Sequence, residues 1–129
     1  MYSPRILVAD DSRTVRTVVH RILCAANFDV ILACDGCEAV KLARCERPNL
    51  VILDIQMPEM DGYEACEQIL ALENRHEDLP IIFLTKNDAR HLCALGNDLG
   101  AYLQKPVCEE TLTATVRSLL SRQSLAQSC

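Results

Sequence analysis

Short apolar runs alternate with helical patterns along the chain, and most of these runs stop at a residue able to handle phosphate or a divalent cation. Arg5-Ile6-Leu7-Val8-Ala9 stops at Asp10-Asp11, Leu50-Val51-Ile52-Leu53 at Asp54, and Ile81-Ile82-Phe83-Leu84 at Thr85. A further run, Ala101-Tyr102-Leu103-Gln104, stops at Lys105-Pro106. Uninterrupted apolar runs of this length fit strands buried on both faces, as in a parallel sheet covered by helices. In such an open α/β sheet, ligands bind beyond the carboxyl ends of the strands. Three carboxylates, a hydroxyl and an ammonium are therefore expected along one edge of one sheet.

The segments between the runs carry helix signals. Ser12 is placed to cap a helix whose Val15, Val18, Val19, Ile22, Leu23 and Ala26 keep 3.6-residue spacing. Asp29 to Cys34 reads as a second strand, and Asp35-Gly36 turns it into a helix carrying Ala39, Val40 and Ala43, which Pro48-Asn49 stops. The loop Met57-Pro58-Glu59-Met60-Asp61-Gly62 precedes a helix with Cys66, Ile69 and Leu70 on one face. Pro80 opens the fourth strand, and Ala89, Leu92 and Cys93 mark a helix ending near Gly96. Glu109 and Glu110 sit where acids favour a helix start, followed by the stripe Leu112, Val116, Leu119 and Leu120. The spacing predicts five strands and five helices in alternation. That is a doubly wound (βα)5 three-layer α/β sandwich with a flavodoxin-like parallel sheet of order 2-1-3-4-5. Residues 1–121 are expected to form the domain, and 122–129 a loose tail or the start of a linker.

At 129 residues the chain suits one domain that buries roughly two thirds of its unfolded surface. Its net charge of −5 argues against a nucleic-acid partner, which would need a basic face. No apolar stretch approaches membrane-spanning length. Met1-Tyr2-Ser3-Pro4 leads straight into the first strand without a secretory leader pattern. The eight cysteines are accordingly expected to be reduced thiols in a cytoplasmic protein, several of them small core hydrophobes.

Asp10, Asp11 and Asp54 at one sheet edge would repel one another unless a counter-ion joined them. Oxygen-only donors in a small, partly hydrated site favour Mg²⁺ over softer metals. Asp54 stands alone at the end of a central strand, and a carboxylate can take up a phosphoryl group as an acyl phosphate. That reaction asks a protein mainly for positioning and charge neutralisation. The Lys105 ammonium can supply charge, and the Thr85 hydroxyl can bind a phosphoryl oxygen. Taken singly, an acid at a strand end is often a helix cap, and a lysine a surface residue. Their joint placement is what points to a site.

Together Asp10-Asp11-Ser12, Asp54 with Met57-Pro58-Glu59-Met60-Asp61-Gly62, Thr85 and Lys105-Pro106 resemble the receiver domain of two-component response regulators, in order from about Arg5 to Leu120. The resemblance implies that Asp54 is phosphorylated by a sensor histidine kinase or a histidine phosphotransfer protein. It implies that Mg²⁺ is held by Asp54, by Asp11 directly, by Asp10 through water and by the Gln56 backbone carbonyl. It further implies a cis bond before Pro106. Thr85 and Tyr102 would act as the switch that reshapes the partner-binding face. Such a protein turns over only its own phosphoryl group. It acts through a downstream effector protein or a further C-terminal output domain.

Three features stand apart from that resemblance. Lys86 follows Thr85 where receivers usually carry a small residue, and base rates favour a solvated side chain. The segment from Thr85 to Lys105 is roughly two residues shorter than is usual in the family. Cys34 and Cys37 form a C-x-x-C without a second ligand pair at metal-site spacing, and His20, His76 and His91 are isolated. Two other function classes are a Mg²⁺-dependent phosphohydrolase and an interaction module that never takes phosphate. The first would need an Asp-x-Asp after the first strand and usually a cap insertion. The intact set of five residues weighs against the second.

Overall fold

The computed structural model describes residues 3–72, 79–86 and 100–128, with side chains through Ser121. Five strands, β1 (Arg5–Ala9), β2 (Asp29–Ala33), β3 (Leu50–Asp54), β4 (Ile81–Thr85) and β5 (Gly100–Gln104), form one parallel sheet in the order β2-β1-β3-β4-β5. Four helices are described: α1 (Arg13–Ala25), α2 (Gly36–Glu46), α3 (Gly62–Leu70) and α4 (Glu109–Ser128). The helix expected around Ala89, Leu92 and Cys93 falls outside the described residues. The sheet order is the one the apolar runs predict.

Strand alternation sorts the core into two layers. On one face Ile6, Val8, Leu50, Ile52, Ile82 and Leu84 meet Val19 and Leu23 of α1 and Leu112, Val116 and Leu119 of α4. On the other, Leu7, Ala9, Val51, Leu53, Ile81 and Phe83 meet Ala39, Val40 and Ala43 of α2 and Ala65 and Ile69 of α3. Each fully buried Leu, Ile or Val contributes about 1.5–3 kcal/mol relative to exposure. These two layers therefore hold the central strands, and their carboxyl ends, in place.

Local chemistry sets the helix starts. Ser12, Asp35 and Asp61 cap α1, α2 and α3, their side chains accepting from the backbone N–H of Val15, Glu38 and Glu64. At α2 the cap is reinforced, because Glu38 reaches back to accept from the Cys34 N–H at 2.8 Å. Arg47 ends α2 in a left-handed conformation, φ 49° and ψ 65°. Asn49 then fastens the return to the sheet, its side chain accepting from the Arg5 N–H at 2.8 Å while its own N–H donates to the Arg5 carbonyl at 2.7 Å.

Three expectations are corrected. Val18 is 37% exposed although it shares the apolar spacing of α1, because the buried stripe narrows to Val19 and Leu23. The backbone stays helical through Ser128, where a loose tail or linker was expected over 122–129. None of the described cysteines is a core residue: Cys24, Cys34, Cys37, Cys45 and Cys108 are exposed and Cys66 is half-buried, all as free thiols. Strand and helix interiors are filled by branched aliphatics and alanine, leaving the thiols on outer positions. Among the described residues no helix is long and apolar enough to cross a membrane.

Candidate functional site

The register brings four strand ends level. Ala9 pairs with both Ala33 and Leu53, Asp54 with Leu84, and Thr85 with Gln104. The ladder runs on for one step past the strands: Asp10 N–H donates to the Ala33 carbonyl at 3.2 Å and Lys105 N–H to the Thr85 carbonyl at 2.7 Å. Asp10, Asp54, Thr85 and Lys105 consequently lie at the same edge, Asp54 and Thr85 closing β3 and β4 and Asp10 and Lys105 directly following β1 and β5. Asp10 is 0%, Asp54 3% and Thr85 4% exposed, which is unusual for polar side chains and demands partners. The Lys105–Pro106 bond is cis, as the resemblance implies.

Lys105 reaches from β5 across the sheet edge. Its Nζ stands 2.9 Å from Asp10 Oδ2 and 3.3 Å from Asp54 Oδ1. Asp10 Oδ1 accepts from the Ser12 N–H at 2.8 Å, and Asp54 Oδ1 accepts from the Gln56 N–H at 3.3 Å. Burial pushes the Asp54 carboxyl up to about 6, the Asp10 charge adds to this, and Lys105 pulls the other way. For Lys105, burial works against the ammonium, but the Asp10 and then the Asp54 carboxylates outweigh it, so its affinity for the proton is raised. One cation thus faces two buried acids.

Carboxylate oxygens of Asp10, Asp11 and Asp54 lie within 4.8 Å of one another, with Asp10 and Asp54 buried and Asp11 exposed. Among the described residues, the buried Asp10 Oδ2 has only the ammonium contact and accepts no hydrogen bond of proper direction. A hard cation fits such a place: every donor is oxygen, an acceptor stands ready inside, and an exposed acid lies at the rim. Asp10, Asp11 and Asp54 are the residues that could hold it.

Of the remaining expected residues, Gln56 is exposed, two positions after Asp54. Tyr102 lies further back on β5, half-buried and stacked on Phe83 with ring centroids 5.3 Å apart. Tyr63 of α3 meets the same Phe83 at 4.9 Å. Lys86 and His20 are exposed, while His76 and His91 lie outside the described residues. Two further residues border the site, and of these Arg16 escapes sequence reasoning. Arg16 donates from Nη1 to the Asp10 carbonyl at 2.7 Å. Gly62 lies so close beneath β3 that a Cβ there would stand 2.4 Å from the Asp54 carbonyl oxygen. Gly62 was signalled by the Asp61-Gly62 turn; Arg16 looks like one more charge on an exposed helix.

Known proteins are similar to this chain in sequence and fold. The family described as the response regulator receiver domain matches residues 6–117. The chain is 43% identical to the response regulator MprA of Mycobacterium ulcerans over 125 residues, covering 95% of this chain and 53% of that protein. It therefore spans about half the length of the curated relatives it matches. Among solved structures, the chemotaxis response regulator CheY4 of Vibrio cholerae is similar at 31% identity and a TM-score of 0.80, covering 92% of this chain and 99% of that one. The receiver domain of the sensor histidine kinase PA1611 from Pseudomonas aeruginosa is similar at 30% identity and a TM-score of 0.81, covering 93% and 99%, and carries a magnesium ion in its active-site cleft. With this fold, this sheet edge and these matches, the chain belongs to the response regulator receiver family.

Proposed function

We propose that the chain accepts a phosphoryl group on Asp54 from a sensor histidine kinase or a histidine phosphotransfer protein, in a Mg²⁺-dependent reaction. The observation that supports this most is the Lys105 ammonium held against two buried acids at adjoining strand ends. A carboxylate oxygen of Asp54 attacks phosphorus, the P–N bond to the donor imidazole breaks, and the imidazole leaves with the bonding pair and takes up a proton. The product is an acyl phosphate. Water later attacks the same phosphorus and returns inorganic phosphate and the free carboxylate. The protein turns over no other substrate in this reading.

Negative charge builds on the phosphoryl oxygens as the group arrives, and each polar residue has a part in offsetting it. Lys105, already beside Asp54, pairs with one phosphoryl oxygen, and the Thr85 hydroxyl donates to another. Asp11, Asp10 through water, Asp54 and the Gln56 carbonyl would hold the cation, which when bound would supply positive charge against the negative charge of the phosphoryl group. Movement of Thr85 toward the modified Asp54 draws Tyr102 inward and reshapes the partner-binding face for an effector protein or an output domain. Residues 1–121 form the receiver in this reading, with 122–129 leading to a tail or linker, and the setting is cytoplasmic. Incubation with acetyl phosphate tests it: a base-labile phosphoryl adduct is expected with Mg²⁺ and none after chelation. Absence of an adduct in both would leave an interaction module instead.

A further inference from the structure

Arg16 sits in the first turn of α1 with its side chain half-buried. It is tied to the β1–α1 turn at both ends. Its Nη1 donates to the Asp10 carbonyl at 2.7 Å, and its backbone N–H donates to the Ser12 carbonyl at 3.0 Å. The gripped oxygen belongs to the planar peptide that joins Asp10 to Asp11. Fixing that oxygen fixes the rotation of the plane, and so the direction in which Asp11 leaves the chain. The other bonds of this turn act elsewhere: Ser12 N–H holds the Asp10 side chain at 2.8 Å, and Val15 N–H holds Ser12 Oγ at 3.3 Å. Asp11 is the exposed member of the acid cluster. Its placement therefore depends on its backbone.

The guanidinium is held at the carboxyl end of β1 by the Asp10 carbonyl. It is thus beside the acid cluster, a cation next to a cation site. By charge alone it would weaken binding of a divalent ion. By geometry it would strengthen it, because the rigid planar fork of arginine orients what it holds. The two effects have opposite signs.

We infer that Arg16 is a positioning residue for the cation site, holding the Asp10–Asp11 peptide so that Asp11 points at the ion. This rests on the reading of Asp10, Asp11 and Asp54 as the Mg²⁺ site. Titration calorimetry of Mg²⁺ into the whole chain tests it at low and moderate salt, with wild type, Arg16→Ala, Arg16→Lys and Asp11→Asn. Removal of an orienting neighbour of a metal ligand weakens metal affinity by about tenfold or more. A loss of that size is expected for Arg16→Ala at both salt concentrations, and a loss also for Arg16→Lys, because it keeps the repelling charge and gives up the fork. Affinity in Arg16→Ala equal to or tighter than wild type would overturn the inference. Should Arg16→Ala fail to fold, the lysine variant decides: a measurable loss supports positioning, and wild-type affinity overturns it. If wild type takes up no Mg²⁺, or Asp11→Asn binds it unchanged, the metal reading fails on its own. Hydrogen exchange of the Asp11 amide in metal-free protein then judges Arg16, with faster exchange in Arg16→Ala supporting the clamp and an unchanged rate refuting it.

Discussion

Asp54 is held in a state that costs folding energy. Its carboxyl is raised from 3.8 to about 6, by burial first and by Asp10 second, so the folded chain grips that proton more tightly than the unfolded chain does. The resulting stabilisation is complete below about pH 4 and is lost as pH rises through about 6. In metal-free buffer, Asp54→Asn should accordingly be more stable than wild type above pH 7, by about 1–3 kcal/mol, with the gap closing toward pH 4. Asp10 still pairs Lys105 in that variant, so the comparison isolates the buried charge. Urea unfolding at the two ends of this range checks it, and a wild type as stable as the variant at pH 7.5 would contradict it. Lys86 is the contrasting residue: it is exposed, and Lys86→Ala should leave the lifetime of the phosphorylated form within about twofold of wild type at any salt concentration. At this scale the sequence was informative where strand ends fix position. Asp10, Asp11, Asp54 and Lys105 were legible because an apolar run tells where its last residue must stand. Arg16 was not, since nothing in a sequence shows that a helix-surface arginine bends back to a carbonyl six residues earlier.

The loop between β3 and α3 carries the tightest packing around the site. A Cβ on Gly62 would meet the Asp54 carbonyl oxygen at 2.4 Å and the Ile55 Cα at 3.0 Å, both backbone atoms with no room to give. The Gly62 N–H also donates to the Ile55 carbonyl at 2.9 Å, closing the loop onto the strand that carries Asp54. On its other side a Cβ on Gly36, which opens α2, would stand 2.7 Å from the Met60 carbonyl oxygen. Gly62→Ala should therefore destabilise the fold by about 1–3 kcal/mol and slow modification of Asp54, since relief can come only by moving that strand end. A denaturation midpoint equal to wild type would show that the loop yields more easily than this geometry implies. Elements were legible as far as their buried faces were regular. Strand order and four helices could be read from the spacing of aliphatic residues, whereas the helical continuation from Ser121 to Ser128 carries too few apolar positions to announce itself.

For the molecule as a whole, the two core layers and the level strand ends make one rigid edge on which four strands each present a polar group. The chain shares the receiver family of response regulators about twice as long as itself. The thiols were misjudged in the sequence for a reason that also belongs to this scale. Their apolar character suggests burial, but the branched aliphatics already fill both layers and the described cysteines stay outside or half-buried. The central claim is that Asp54 receives the phosphoryl group. Intact-mass analysis after incubation with acetyl phosphate and Mg²⁺ tests it most directly, comparing wild type with Asp54→Asn. A single phosphoryl adduct on wild type and none on the variant is the predicted result; an adduct of equal yield on Asp54→Asn would contradict it.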